Sequence, residues 1–271
     1  VKFSVDDLKL DKNDQSKIQS IVQSFTSPKV KPIHPNDLKY YLALVKQYDE
    51  LQDYSGHLKW FPSGTSLSIE NYPRHKLFFD ATAEYRQILF QAGNRIGKSE
   101  AAAFCGSCWS TGIYPGWWKG RVFDAPTDGW VAGDTNQTVR DVLQVKFLGP
   151  AGQWGTGMLP KENILDCTIK PNSGGAVDTI LVKHTPTGKT SRISFKQYQQ
   201  GASSFYGTAR DWISLDEEPL GKDAVRIVDE CRMRLMTKNG VMIITFTPLH
   251  GITAFLTEFK KIAVNLTEGL D

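Results

Sequence analysis

A chain of 271 residues, 40% hydrophobic and 23% charged, can bury a substantial core, and none of its apolar runs reaches the roughly 18 residues of a membrane span. Lysine plus arginine exceed aspartate plus glutamate by 32 − 29 = 3, a balance compatible with a nucleic-acid partner but not diagnostic of one. Four cysteines, at 105, 108, 167 and 231, are too few for a disulfide framework at this length, and Cys105–Cys108 has no second pair to complete a zinc site. These two are expected as buried thiols on one face of a helix. No signal peptide opens the chain, so a cytosolic protein is expected, and a start at Val1 without Met reads as an excised fragment.

Residues 1–64 are rich in Lys, Asp and Gln and are expected to form a small helical appendage. Its one good helix runs from Asn36 to Tyr54, with Leu38, Tyr41, Leu42, Val45, Tyr48 and Leu51 at helical spacing and Asn36 or Asp37 as cap. The Ser/Gly/Pro-rich stretch from Pro62 to Ser68 marks a boundary, so the main domain is taken as 65–271. From Ile69 onward strands and helices alternate, the pattern of an α/β protein with a mainly parallel central sheet flanked by helices. The expected strands are Gln87 to Gln91, Trp130 to Gly133, Ile164 to Ile169, Thr179 to His184, Arg192 to Tyr198, Asp211 to Leu215 and Val241 to Thr247. Helices are expected over Ser99 to Trp109, Asn136 to Leu148, Asp223 to Met236 and Ile252 to Lys261. The turn residues 185–189 predict antiparallel pairing of the two strands they join.

Ala92-Gly93-Asn94-Arg95-Ile96-Gly97-Lys98-Ser99 fits the phosphate-loop pattern at all but its first position, where Ala92 replaces glycine and Gly93 follows. Strand before and helix after place successive amides and a helix N-terminus around a phosphate. Lys98 would neutralise β/γ-phosphate oxygens, and the Ser99 hydroxyl would ligate Mg²⁺. Further on, Trp212-Ile213-Ser214-Leu215 ends in Asp216-Glu217, an apolar strand followed by two acids. At the C-terminal end of a parallel strand, Asp216 would hold the metal and Glu217 would orient and deprotonate a water. The adjacent Glu218 is a competitor for that role, but ligand and base are usually consecutive. The strand from Val241 ends in Thr245-Phe246-Thr247-Pro248, whose hydroxyls can touch the phosphate or the attacking water.

AGNRIGKS, LDEEP and TFTP, in this order, resemble the ATPase domain of the large terminase subunit, the DNA-packaging motor of tailed bacteriophages. Residues 109–135 resemble the segment after the loop in one branch of that family, and the likeness covers about Asn71 to Lys260. It implies an additional-strand (ASCE) P-loop fold, and ATP hydrolysis with Mg²⁺ coupled to translocation of double-stranded DNA. The implied partners are a portal on the procapsid, a small terminase subunit and a homo-oligomeric ring, monomeric in isolation, with no membrane. The implied setting is the host bacterial cytoplasm and, transiently, the procapsid, with the protein absent from the mature virion. Thr245 and Thr247 fall in the family's coupling motif, and Asn71 to His75 in its base-contacting segment, so Tyr72 and His75 join Gly93 to Ser99 as ATP-binding candidates. His75 stands where the family has Gln, so adenine specificity is not implied. Large terminases usually continue into a nuclease domain of a hundred or more residues; the chain ends at Asp271, so no nuclease activity is expected of it.

A ring ATPase commonly offsets transition-state charge with an arginine. Arg95 inside the loop, able to act on its own nucleotide, and Arg210 before the acid strand, able to reach a neighbouring subunit, are the candidates; Arg140 could also reach a neighbour but is read as a solvated helix face. Trp109, Trp117, Trp118 and Trp130 are expected in packing rather than base stacking, and Lys222, Arg226, Arg232 and Arg234 are weak candidates for DNA phosphates. The alternatives are a helicase-like translocase, which would want a second set of nucleic-acid motifs, and a non-catalytic assembly module, against which the intact Lys98, Ser99, Asp216 and Glu217 argue.

Overall fold

A computed structural model of the chain describes residues 56–266, apart from 63, 172, 249, 250, 252 and 262. The predicted helix over 36–54 lies outside the described residues. Seven strands form one sheet: β1 (Gln87–Gln91), β2 (Asp128–Gly133), β3 (Ile164–Ile169), β4 (Val177–Lys183), β5 (Thr190–Gln197), β6 (Trp212–Asp216) and β7 (Val241–Phe246). They lie in the order β1-β7-β6-β2-β5-β4-β3. The run from β1 to β5 is parallel throughout, and β4 and β3 add an antiparallel edge. β7, last in sequence, is therefore inserted between the loop strand β1 and the acid strand β6, which is the additional-strand arrangement. The predicted antiparallel β4–β5 hairpin is present.

The helices are α1 (Pro73–Glu84), α2 (Lys98–Thr111), α3 over residues 136–148, α4 (Ala224–Met236) and α5 (Ala254–Lys260). β6 and β7 are buried at every position because helices cover both faces, and they read as mostly apolar runs for that reason. Alternation sorts their side chains. Trp212, Val241 and Ile243 join the core with α1, α2 and α3, whereas Ile213, Leu215, Met242, Ile244 and Phe246 join the core with α4 and α5. Trp109, Trp130 and Trp212 are fully buried, and Trp117 stacks on Phe104 at 5.7 Å, so the tryptophans near the loop are packing residues as expected. Cys105 and Cys108 are buried free thiols whose pKa burial raises well above the ordinary range.

Two helical details depart from the sequence expectation. α1 was not predicted: Phe78, Phe79, Ala81 and Thr82 are all buried, so its apolar positions wrap around the axis instead of forming a stripe. Pro73 at its first turn was the available signal. In α3 the α-helix is broken by a π turn over Val139–Gln144, between Asn136–Thr138 and Val145–Leu148. The buried Gln144 accepts from the Val177 amide at 3.0 Å and donates to the Val177 carbonyl at 2.5 Å, which extends the pairing of β4 into the helix.

Residues preceding α1 are built into the same core. Phe61 makes edge contacts with Phe79 at 5.7 Å and Phe104 at 5.4 Å, and His57 is fully buried between the carbonyls of Met158 (3.2 Å) and Ile113 (3.0 Å). Burial, opposed by those two carbonyls, pushes the His57 pKa down to about 4. Folded His57 therefore stays neutral while the unfolded chain takes up a proton below its ordinary value of 6.5. The stability involved is fully present above pH 6.5 and declines as pH falls to 4, by about 3 kcal/mol at the lower end. Melting temperature measured across this window should fall more steeply for the wild type than for His57→Gln, and equal slopes would remove His57 as the cause.

Candidate nucleotide site

The loop after β1 owes its shape to two left-handed residues, Arg95 (φ 61°) and Gly97 (φ 84°), which turn the chain into α2. For glycine this conformation is free of steric cost, but for arginine it is not. Asn94 and Arg95 are exposed at the loop tip, and Arg95 has no ion-pair partner among the described residues. Lys98 lies 6% exposed, its ammonium donating to the carbonyls of Ala92 at 3.1 Å and Gly93 at 2.7 Å. Among the described residues no carboxylate pairs with it. A buried cation with only carbonyl partners is suited to an anion held by the same loop.

Asp216 closes β6, 8% exposed, with the charge of Lys146 acting on it from a distance. Its carboxylate accepts from Thr245 Oγ1 at 2.7 Å and is hydrogen-bonded by Ser99, the residue after Lys98. Burial raises its pKa, with the two hydroxyls opposing and the Glu217 charge adding to the rise. A hydroxyl and a carboxylate brought together supply oxygen donors of the kind Mg²⁺ takes. The residues present fit that ion, and Ser99 and Asp216 would hold it.

In an extended strand Glu217 would point away from Asp216, onto the α4 face. It does not continue the strand: its φ of 59° turns the chain, so that both acids meet β7. Glu217 Oε1 accepts from Thr247 Oγ1 and Oε2 from the Thr247 amide, each at 2.8 Å. Glu218 takes a third threonine, accepting from Thr253 Oγ1 at 2.6 Å, while Thr253 accepts from the Leu256 amide and so caps α5. Three consecutive acids are thereby attached to Thr245, Thr247 and Thr253. Glu218 is only 6% exposed and engaged with the α5 cap, which separates it from Glu217.

His75 and Tyr72 both pack against the loop. The His75 ring is 9% exposed and hydrogen-bonded to the backbone of Ile96 and Gly97, edge-on to Phe90 at 5.3 Å and to Tyr72 at 5.7 Å. Burial, opposed by those backbone contacts and by Glu100, lowers its pKa, so the imidazole under the loop is neutral. Tyr72 remains half-exposed beside it.

Arg210 is not brought to the loop. It precedes β6, whose five residues span roughly 17 Å, so it sits at the end of the sheet opposite the acids. There its guanidinium pairs with Asp128 at 2.7 Å and lies 4.5 Å from the Trp130 ring centre, so within one subunit it does not reach the loop. Arg140 pairs with its neighbour Asp141 at 2.6 Å. Arg232 and Arg234 pair with Asp229 and Glu230, and Arg226 donates to Tyr206, whereas Lys222 is exposed without such a partner among the described residues. Sequence reasoning missed Tyr198. Its hydroxyl, at the end of β5, faces the carbonyls of Glu217, Asp216 and Ala132 at 3.1, 3.2 and 3.4 Å. Its place at the C-terminal end of a parallel strand was the signal that pointed to it.

A five-strand parallel array with β7 inserted between the loop strand and the acid strand, and with Lys98, Ser99 and Asp216 converging, defines a P-loop NTPase fold of the additional-strand type. The chain belongs to the terminase large subunit family: residues 89–263 match the family described as "Terminase large subunit, T4likevirus-type, N-terminal". It is 34% identical to the terminase large subunit of Salmonella phage P22 in a match covering 70% of this chain and 41% of that protein, so it spans about two fifths of that relative's length. Among solved structures, the large terminase ATPase domain of Thermus phage P74-26 is similar at 19% identity over 67% of each chain, with a TM-score of 0.43. The large terminase of the thermophilic bacteriophage D6E is similar at 12% identity over 69% of this chain and 42% of that one, with a TM-score of 0.45.

Proposed function

We propose that this domain hydrolyses ATP with Mg²⁺ and that, in the assembled terminase, hydrolysis drives double-stranded DNA into a procapsid. The observation that carries the reading is the convergence of an unneutralised Lys98 with the Ser99–Asp216 pair and the Thr247-held Glu217. Mg²⁺, when bound, offsets phosphate charge and polarises the reacting phosphoryl group. Gly93 to Gly97 present amides to the phosphates, and Lys98 exchanges its carbonyl partners for phosphate oxygens. Ser99 and Asp216 hold the cation. Glu217 orients the attacking water and accepts its proton. Arg95, exposed at the loop tip, supplies positive charge to the transition state, and Tyr72 offers a ring face to the base with His75 supporting the loop. Thr245 and Thr247, each on one of the two acids, couple phosphate loss to β7.

In the wider setting of this proposal, subunits form a ring on a portal, are loaded by a small terminase subunit in the host cytoplasm and leave before the virion matures. The test is phosphate release from ATP by the purified chain, with and without Mg²⁺, beside Lys98→Ala and Arg95→Ala. Lys98→Ala should lose binding and turnover together. Arg95→Ala should keep binding and lose about 100-fold or more in rate. Undiminished hydrolysis in Arg95→Ala would remove that residue from the mechanism, and undiminished hydrolysis in Lys98→Ala would place the activity elsewhere. Specific activity that rises with protein concentration is expected if an arginine acts between subunits.

A further inference from the structure

We infer that Tyr198 is a positioning residue for Glu217, its buried hydroxyl fixing the turned backbone that carries the base. This rests on the reading of Glu217 given above. β5 and β6 are not neighbours, because β2 runs between them. The Tyr198 hydroxyl nevertheless reaches the end of β6. It crosses β2 at Ala132, which is fully buried and whose carbonyl lies 3.4 Å from that hydroxyl. A larger side chain at 132, on the face that Ala132 and Tyr198 share, would compete for the space the ring occupies.

A phenol has one proton to donate, and three carbonyls surround it. The shortest approach is to the Glu217 carbonyl at 3.1 Å. That carbonyl belongs to the peptide linking Glu217 to Glu218, and its direction is set by Glu217 being left-handed. A non-glycine residue in that region persists only where its surroundings over-determine it. Two groups do so here. The Glu217 amide donates to the Thr245 carbonyl at 2.8 Å, and Tyr198 holds the carbonyl on the other side. Loss of the second leaves the peptide between Glu217 and Glu218 free to rotate, and with it the carboxylate that Thr247 receives. Tyr198 is itself held by Phe205, stacked at 6.3 Å, and is 6% exposed. Burial raises its pKa well above the ordinary range, so it stays a donor.

Tyr198→Phe removes the hydroxyl and keeps the ring. Its expected phenotype is a turnover number lower by about tenfold or more, with KM for ATP and affinity for ADP within about twofold of wild type. Phe205→Leu loosens the stack and leaves the hydroxyl, so it should lower the melting temperature and cost turnover less than Tyr198→Phe does. A residue serving only the core would give the reverse: both variants losing stability together, and neither showing a split between turnover and KM. Glu217→Gln, run in parallel, separates the two levels of the argument. If Glu217→Gln keeps turnover, the reading of the base fails and the role of Tyr198 goes with it. If Glu217→Gln is inactive while Tyr198→Phe stays within about twofold of wild type, Tyr198 alone is overturned. A Tyr198→Phe chain that does not fold would assign the hydroxyl to the stability of the sheet and overturn the proposal as well.

Discussion

Glu217→Gln should reduce turnover by about 100-fold to 10,000-fold while leaving ATP binding intact. The substitution is nearly isosteric, and the amide oxygen can still accept from the Thr247 amide or hydroxyl now bonded to Glu217 at 2.8 Å. What it cannot do is take a proton from water. Binding should survive because the phosphate contacts come from the loop and Lys98, on a different strand–helix connection. Phosphate release and equilibrium binding of ATP, measured on the same preparation, separate the two quantities. Turnover within about tenfold of wild type would mean that another group is the base, with Glu218 next to be examined despite its engagement with Thr253.

Gly129→Ala should destabilise the fold by about 3 kcal/mol or more, an expectation of the same weight for structure. Gly129 pairs in register with Trp212 across β2 and β6, and a Cβ built on Gly129 falls inside the Trp212 indole. The indole has nowhere to retreat. It is fully buried, lies 5.8 Å from the Trp109 ring, and donates through Nε1 to Thr127 Oγ1 at 3.1 Å, which in turn donates to the Trp109 carbonyl at 3.1 Å. Moving it breaks that chain and unpacks β6 from β2. The melting temperature should fall by roughly 6–12 °C. Trp212→Phe, which returns space at the cost of one hydrogen bond, should be less harmful in the Gly129→Ala background than alone. Additive losses would show that the contact is not the cause.

The elements that build the site were legible because their signals are local. The loop was legible from its glycines and Gly-Lys-Ser, β6 and β7 from mostly apolar runs, and Asp216-Glu217 from its place at a strand end. The resemblance supplied the additional-strand arrangement, since alternation of strands and helices does not by itself order a sheet. Details that depend on long-range partners were not legible. The π turn in α3 exists because Gln144 pairs with Val177, 33 residues away. The burial of His57 depends on Met158, 101 residues on. The place of Arg210 at the far end of β6 was legible in another way. A residue that precedes a parallel strand lies at the end opposite one that follows it, and that geometry was available from the chain order alone.

The left-handed backbone at Glu217 sets chemistry and conformation against each other at one position. Glycine or asparagine would sit there with less strain and would be favoured by any pressure acting on stability alone. Of these three, only glutamate can serve as the general base proposed for this position. Retention of glutamate at this position therefore reports continuing use of the site, and among descendants of this chain a drift to glycine or asparagine would mark lineages in which the domain persists as a scaffold after its turnover has been lost.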